Sequence, residues 1–211
     1  MTFWVRGRIA NGLGTMSAGS EVQSCHKWRD NAALIADVAK LGYLSNDMSV
    51  LDATYGRGGW WRDWNPPALV RFAGNFTDLP YEDEQFDCVV YDPPYVSIGG
   101  RETSTTKDKH NRYGNFETPK SPAALQKLMN EGLHECRRVA VVGGLVLMKC
   151  MDYVSSGRMW MGTYWTMHMA LYLDMTVVDK FIYINNGSPQ PPGRGQVHSR
   201  SNYSVLYVFR T

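Results

Sequence analysis

Phe86-Asp87-Cys88-Val89-Val90-Tyr91-Asp92-Pro93-Pro94-Tyr95 is the stretch that decides the fold. Its apolar run, residues 86–91, reads as a strand buried on both faces, as in a parallel sheet. Two consecutive prolines then end it, because each lacks an N–H and fixes φ. A carboxylate, Asp92, is left at the strand's C-terminal tip, with the ring of Tyr95 three residues on. In open α/β sheets ligands bind at such tips. A carboxylate, carbonyls freed from sheet pairing and an aromatic face suit a planar ring that carries an amino group.

That pattern has a chemical use. The exocyclic amine of adenine or cytosine is a poor nucleophile, since its lone pair is delocalised into the ring. Acceptors that bind both N–H bonds draw the nitrogen toward tetrahedral geometry and aim its lone pair at an electrophile. Asp92 and the carbonyl of Pro93 fit that task, Pro94 holds the turn rigid, and Tyr95 stacks on the ring, a contact worth roughly 1–3 kcal/mol per base. Read plainly, the same string is also a strand followed by a stiff Asp-Pro turn.

A second strand-to-turn junction lies upstream. Ser49-Val50-Leu51-Asp52-Ala53 reads as a buried strand that runs into Thr54-Tyr55-Gly56-Arg57-Gly58-Gly59. Glycines directly after a strand let the backbone approach a cofactor closely. Alone, this G-x-G is also the signature of an ordinary turn.

Together the two junctions resemble the S-adenosylmethionine-dependent amino-methyltransferases of DNA. The first motif of that family, approximately D-P-F-x-G-S-G, stands here as Asp52-Ala53-Thr54-Tyr55-Gly56-Arg57-Gly58, and its [DNS]-P-P-[YFW] box stands intact as Asp92-Pro93-Pro94-Tyr95. The longer strings Leu51-Asp52-Ala53-Thr54-Tyr55-Gly56-Arg57-Gly58-Gly59-Trp60-Trp61 and Met148-Lys149-Cys150-Met151-Asp152 are similar to a small phage and actinobacterial branch. The resemblance spans about residues 25–211. It implies a Rossmann-like, doubly wound α/β fold, with a seven-stranded, mostly parallel sheet and one reversed strand. It implies S-adenosylmethionine as cofactor and direct methyl transfer to a flipped base, most simply adenine N6 in DNA. No metal and no covalent intermediate are needed. RNA carries the same amines and stays open as the polymer, as does cytosine N4 as the target. A non-catalytic cofactor- or nucleic-acid-binding relative is the reading from another class.

By the same resemblance, Asp52 helps hold the methionine end of the cofactor, and Thr54, Tyr55, Gly56 and Gly58 form the turn that passes under it. The segment Asn75-Phe76-Thr77-Asp78 corresponds to the part that reads the cofactor's adenine. Asn75 or, alternatively, Asp78 accepts from the adenine amine, and Phe76 packs on the ring. The chain departs from the family at one point. The family usually carries an acid at the tip of the second strand for the ribose hydroxyls, and Leu69-Val70-Arg71-Phe72-Ala73-Gly74 has none. Either Asp63 or backbone and water replaces it, and weak cofactor affinity is the expected consequence.

The remainder of the chain is consistent with one catalytic domain, 25–211, behind a Gly/Ser-rich arm, 1–24. At 211 residues with 44% hydrophobic side chains, a single core of useful size can form. Net charge is only +2, so any attraction to nucleic acid must be local. Two long basic loops offer it. Residues 96–121 carry Arg101, Lys107, Lys109, His110, Arg112 and Lys120, and residues 187–201 carry Arg194, His198 and Arg200. Each is also what a solvated loop looks like. The four cysteines, Cys25, Cys88, Cys136 and Cys150, form no C-x-x-C pair, so a zinc site is not expected. Reduced, buried thiols and the lack of a signal-peptide pattern point to the cytoplasm of a bacterial or phage-infected cell. No stretch is apolar and long enough to span a membrane.

Periodicity predicts helices over 27–42, 123–139 and 157–173, and strands near 48–53, 68–72, 86–91, 141–150, 176–185 and 203–210. Trp60, Trp61 and Trp64 stand at helical spacing after the glycine turn, and read as the packed face of a short helix.

Overall fold

The computed structural model describes residues 21–94, 119–185, 198–199 and 201–211. In chain order its elements are β1 (Cys25–His26), α1 (Asn31–Lys40), β2 (Val50–Asp52), β3 (Leu69–Arg71), β4 (Phe86–Tyr91), α2 (Pro122–Val139), β5 (Ala140–Cys150), β6 (Tyr153–Ser155), β7 (Arg158–Trp160), α3 (Gly162–Tyr172), β8 (Thr176–Ile184) and β9 (Tyr203–Arg210). Seven strands form one sheet in the order β1-β8-β9-β5-β4-β2-β3. Only β9 runs against the others: it is antiparallel to both β5 and β8, whereas β1–β8, β5–β4, β4–β2 and β2–β3 are parallel. This is the doubly wound α/β arrangement read from the sequence.

Both faces of the sheet are covered, which is why β4 and the second half of β5 are apolar without alternation. On one face Leu34, Ile35 and Val38 of α1 pack on Val50, Cys88, Val90 and Leu147. On the other, Leu125, Leu133 and Cys136 of α2 and Ala170 of α3 pack on Leu51, Val89, Tyr91 and Met148. Helix α2 can come this close because residue 132 is glycine: a Cβ there would lie 2.1 Å from the Tyr91 hydroxyl oxygen.

Capping sets where the helices begin. Asp30 Oδ1 accepts from the Ala33 N–H at 3.1 Å, so α1 starts at Asn31 rather than near 27. Cys25 and His26 are instead the sheet's edge strand, a seventh strand that residue periodicity did not show. Ser121 caps α2 with Pro122 in its first turn. The helix expected over 157–173 begins at Gly162, because Tyr153–Ser155 and Arg158–Trp160 pair as an antiparallel hairpin. Its two turn residues, Ser156 (φ 50°) and Gly157 (φ 71°), both have positive φ, as a type I′ turn requires.

The tryptophan segment also departs from expectation. Residues 60–63 are turn and bend, and Trp64 carries no regular structure, so no helix forms here. Gly56 (φ 54°) and Gly58 (φ 69°) reverse the chain in the left-handed region, and the indoles are drawn toward buried carboxylates. Among the described residues, no helix is long and apolar enough to cross a membrane, and no group of three or more His, Cys, Asp or Glu side chains could hold a metal ion.

Candidate active site

Register brings the two strand-tip acids to one edge and one face. Asp52 ends β2 opposite Val90 of β4, and Tyr91 lies opposite Met148 of β5. One residue on, Asp92 follows β4 and Lys149 follows Met148. Side chains alternate along a strand, so Asp52, Asp92 and Lys149 all point to the α1 face. All three are buried, at 3%, 8% and 3% exposure. Buried charged groups must be hydrogen-bonded or paired, and the partners here are specific.

The Asp52 carboxylate accepts from the Thr54 N–H at 3.0 Å and from the Trp61 indole N–H at 2.6 Å. The Thr54 hydroxyl oxygen in turn accepts from the Asp92 N–H at 2.7 Å, which ties the glycine turn to the proline box. Asp92 Oδ2 accepts from the Trp60 indole N–H at 3.1 Å. Its other oxygen, Oδ1, is buried and without a hydrogen-bond partner among the described residues. Lys149 Nζ donates to Asn31 Oδ1 at 2.5 Å and lies 4.7 Å from the Tyr183 ring centroid and 5.7 Å from that of Trp60.

Burial governs the electrostatics. It pushes the Asp52 carboxyl up to about 7, against the pull of the Trp61 and Thr54 donors. It raises Asp92 as well, opposed by the charge of Lys149 and the Trp60 N–H. It lowers Lys149, opposed by Asp92. Two buried acids near each other and one buried cation leave this edge strongly polarised inside a low-dielectric setting.

The other expected residues surround this centre at varying depth. Tyr55 is half-buried, with the Arg71 guanidinium 5.6 Å from its ring centroid. Gly58, with φ 69°, holds a position of the turn where a side chain would be strained, and a Cβ there would also lie 2.4 Å from the Tyr55 hydroxyl oxygen. Asn75 is exposed, and its Oδ1 accepts from the N–H and hydroxyl of Thr77 in an Asx turn. Asp78 is exposed. Phe76 is fully buried in the core and meets Tyr91 edge-on at 5.3 Å. Asp63 bonds Arg29 at 2.6 Å on the surface. Tyr95, Arg101, Lys107, Lys109, Arg112, Arg194 and Arg200 lie outside the described residues, as do residues 1–20 of the expected arm.

Several participants were missed as site residues in the sequence. Trp60 and Trp61 read as packing, and Asn31 was only one residue within the predicted helix 27–42. Lys149 was visible only as one letter of a family string, although a lysine inside an apolar strand is itself a signal. A shallow crevice opens on the opposite face of the sheet, lined by Leu125, Met129, Tyr153, Trp160 and Trp165, and neither carboxylate borders it.

No family model matches the chain, and no curated protein matches it. Solved structures with a similar fold include the "Putative DNA Modification Methylase" TTHA0409 of Thermus thermophilus, complexed with S-adenosyl-L-methionine. It is 16% identical, with a TM-score of 0.43, over 65% of this chain and 53% of that one. The chain thus spans about half the length of that protein. The PH0226 protein of Pyrococcus horikoshii is 16% identical over 87% of this chain and 92% of its own, with a TM-score of 0.46. A SAM-dependent methyltransferase of Methanosarcina mazei is 9% identical over 82% and 96%, with a TM-score of 0.45.

Proposed function

We propose that the chain is an S-adenosylmethionine-dependent methyltransferase acting on an exocyclic amine of a nucleic-acid base, adenine N6 in DNA first. One observation carries the reading: Asp92 of an intact Asp-Pro-Pro-Tyr box sits at the tip of a central strand with a buried oxygen that has no partner among the described residues. A buried acceptor left open is costly unless a ligand completes it. An amine donor completes it.

The residues fit the cofactor. Gly56 and Gly58 turn the backbone in the left-handed region directly after β2, where a ligand can approach the main chain. Asp52 holds that turn through Thr54 and Trp61 and keeps further lone pairs for a donor. Asn75 is committed to its Asx turn, so Asp78 is the better acceptor for an adenine amine. No acid lies at the tip of β3, where Arg71 stands, and Asp63 is paired with Arg29. Weak ribose contacts, and hence modest affinity, follow.

When bound, the cofactor supplies an electrophilic methyl group. The chain's own part is positioning and charge. Asp92 Oδ1 and the Pro93 carbonyl accept the two N–H bonds of the amine and fix its orientation. Trp60 holds Oδ2, so the carboxylate does not rotate away. Because burial raises Asp92, its carboxylate is a better acceptor for the proton that the amine releases. The apolar core beneath excludes water, which strengthens each of these interactions.

Transfer of radiolabel from S-adenosylmethionine to unmethylated DNA and to RNA, with nucleosides resolved by mass spectrometry, tests the reading. The expected result is N6-methyladenine in DNA, lost in Asp92→Ala while cofactor binding by calorimetry persists. Label in RNA alone moves the substrate to RNA. No label on either polymer, with the cofactor bound, rejects base methylation.

A further inference from the structure

Lys149 is the least expected residue of the sheet. It stands in the run Leu145–Cys150, every member of which is buried, on a strand with covered faces. Lysine is almost never this buried without a partner, and bringing an ammonium out of water costs several kcal/mol. Its single described hydrogen bond goes to Asn31, a neutral side chain. Two ring faces, Tyr183 and Trp60, and the field of Asp92 also favour the charge. Among the described ion pairs there is none between Lys149 and Asp92.

That lack of direct contact matters, because a salt bridge would occupy the Asp92 carboxylate and block the amine. Instead the cation lies over the indole whose N–H donates to Asp92 Oδ2. A positive charge over the ring polarises the indole and strengthens its N–H as a donor. We infer that Lys149 is a positioning residue for Asp92: through Trp60 and its own field it keeps the carboxylate ionised and fixed, with Oδ1 free for the substrate amine. Asn31, at the start of α1, sets where the ammonium sits. This inference rests on the reading of Asp92 as the amine acceptor.

Among the described residues the groups that face this pair are few. Asp92 is faced by Asp52 of β2, by Trp60 and by Lys149 of β5, while the neutral thiol of Cys150 lies on the opposite face of the sheet. Lys149 is faced by Asn31 of α1, Tyr183 of β8, Trp60 and Asp92. Lys149 is therefore the one cation among these described groups, and without it Asp92 is left beside the Asp52 carboxyl with an unpolarised donor.

The test is a titration of aspartate carboxyl carbons by NMR on the full chain without cofactor, with the Asp92 signal assigned by Asp92→Asn. In Lys149→Met the Asp92 signal should titrate at higher pH than in the wild type. In Asn31→Ala, which keeps the lysine and the net charge, it should move the same way by less. If Lys149→Met does not fold, Asn31→Ala decides alone. An Asp92 signal that titrates as in the wild type, in whichever variant folds, overturns the inference. In label transfer, kcat of Lys149→Met should fall about 10²-fold, with the acid limb of its pH profile moved upward and the KM for S-adenosylmethionine little changed. A loss confined to cofactor binding, with the acid limb unmoved, would make Lys149 a structural anchor and overturn the inference. A wild-type protein that labels no polymer defeats the proposed function, whereas the carboxyl titration still decides the role of Lys149.

Discussion

Trp60 shows how one side chain can serve both packing and chemistry. Its ring is buried in the core under α1, and its N–H is the described donor to Asp92. Trp60→Phe keeps most of the packing and a ring face for Lys149 but removes that donor. A hydrogen bond to a charged group is worth about 1.5–3 kcal/mol, so kcat for label transfer should drop by roughly one to two orders of magnitude. Calorimetric affinity for S-adenosylmethionine should change far less, since Trp61, not Trp60, bonds Asp52. An unchanged kcat would show that Asp92 needs no donor at Oδ2. Neither indole could be assigned this role from spacing alone, because a W-W pair at helical distance reads as a packed face. Only the left-handed glycines before it turn the rings toward the two acids.

Among the elements, α2 positions the β4 tip through a close approach at one point. Gly132 sits in mid-helix, where alanine would gain about 1 kcal/mol of helix propensity. Its Cβ would nevertheless meet the Tyr91 hydroxyl oxygen at 2.1 Å and Phe76 Cδ2 at 2.8 Å, and both rings are fully buried. Overpacking of this kind typically costs about 1–3 kcal/mol. Gly132→Ala should therefore lower the urea midpoint in spite of its propensity, and adding Tyr91→Phe, which removes the nearest atom, should recover part of the loss. A variant as stable as the wild type would mean that α2 can shift at no cost. A second close approach holds α3: a Cβ on Gly162 would lie 2.3 Å from the Met151 carbonyl oxygen. From beyond β5, Asp152 accepts from the Thr163 N–H and hydroxyl at 2.9 and 2.8 Å, satisfying a donor at the first turn of α3.

For the whole molecule, the buried acids make stability depend on pH in an unusual direction. The Asp52 carboxyl titrates at about 7 in the folded chain against an ordinary 3.8. Between those values the folded state holds more protons than the unfolded one, so stability falls as pH rises from about 4 to 7. Asp92, also raised by burial, acts in the same sense. Asp30, Asp37, Asp47 and Glu135 are held below their ordinary values, so they act only at lower pH, where their contribution is lost on acidification. The wild-type urea midpoint should thus be lower at pH 7.5 than at pH 4.5, and Asp52→Asn should reduce that difference. Equal differences in the two proteins would place the pH dependence elsewhere.

Six of the sheet's seven strands are legible along the chain itself. Its buried strands are continuous apolar runs, its glycine turn and its proline box are punctuation that backbone sterics enforce, and the last two strands are joined in a way that permits antiparallel pairing. The sequence by itself also determined Asp52 and Asp92 as a pair of strand-tip acids, since both follow from local chemistry. The tertiary structure alone decided the rest. Cys25–His26 is a strand only because β8 offers it an open edge. Residues 158–160 are a strand, not helix, because Ser156 and Gly157 turn them back on residues 153–155. Phe76 belongs to the core because α2 closes over it. Trp60, Lys149 and Asn31, separated by as many as 118 residues in sequence, meet around Asp92 because register and strand parity place them there. A hydrogen bond or a cation over a ring is a relation in space, and periodicity along the chain does not carry it.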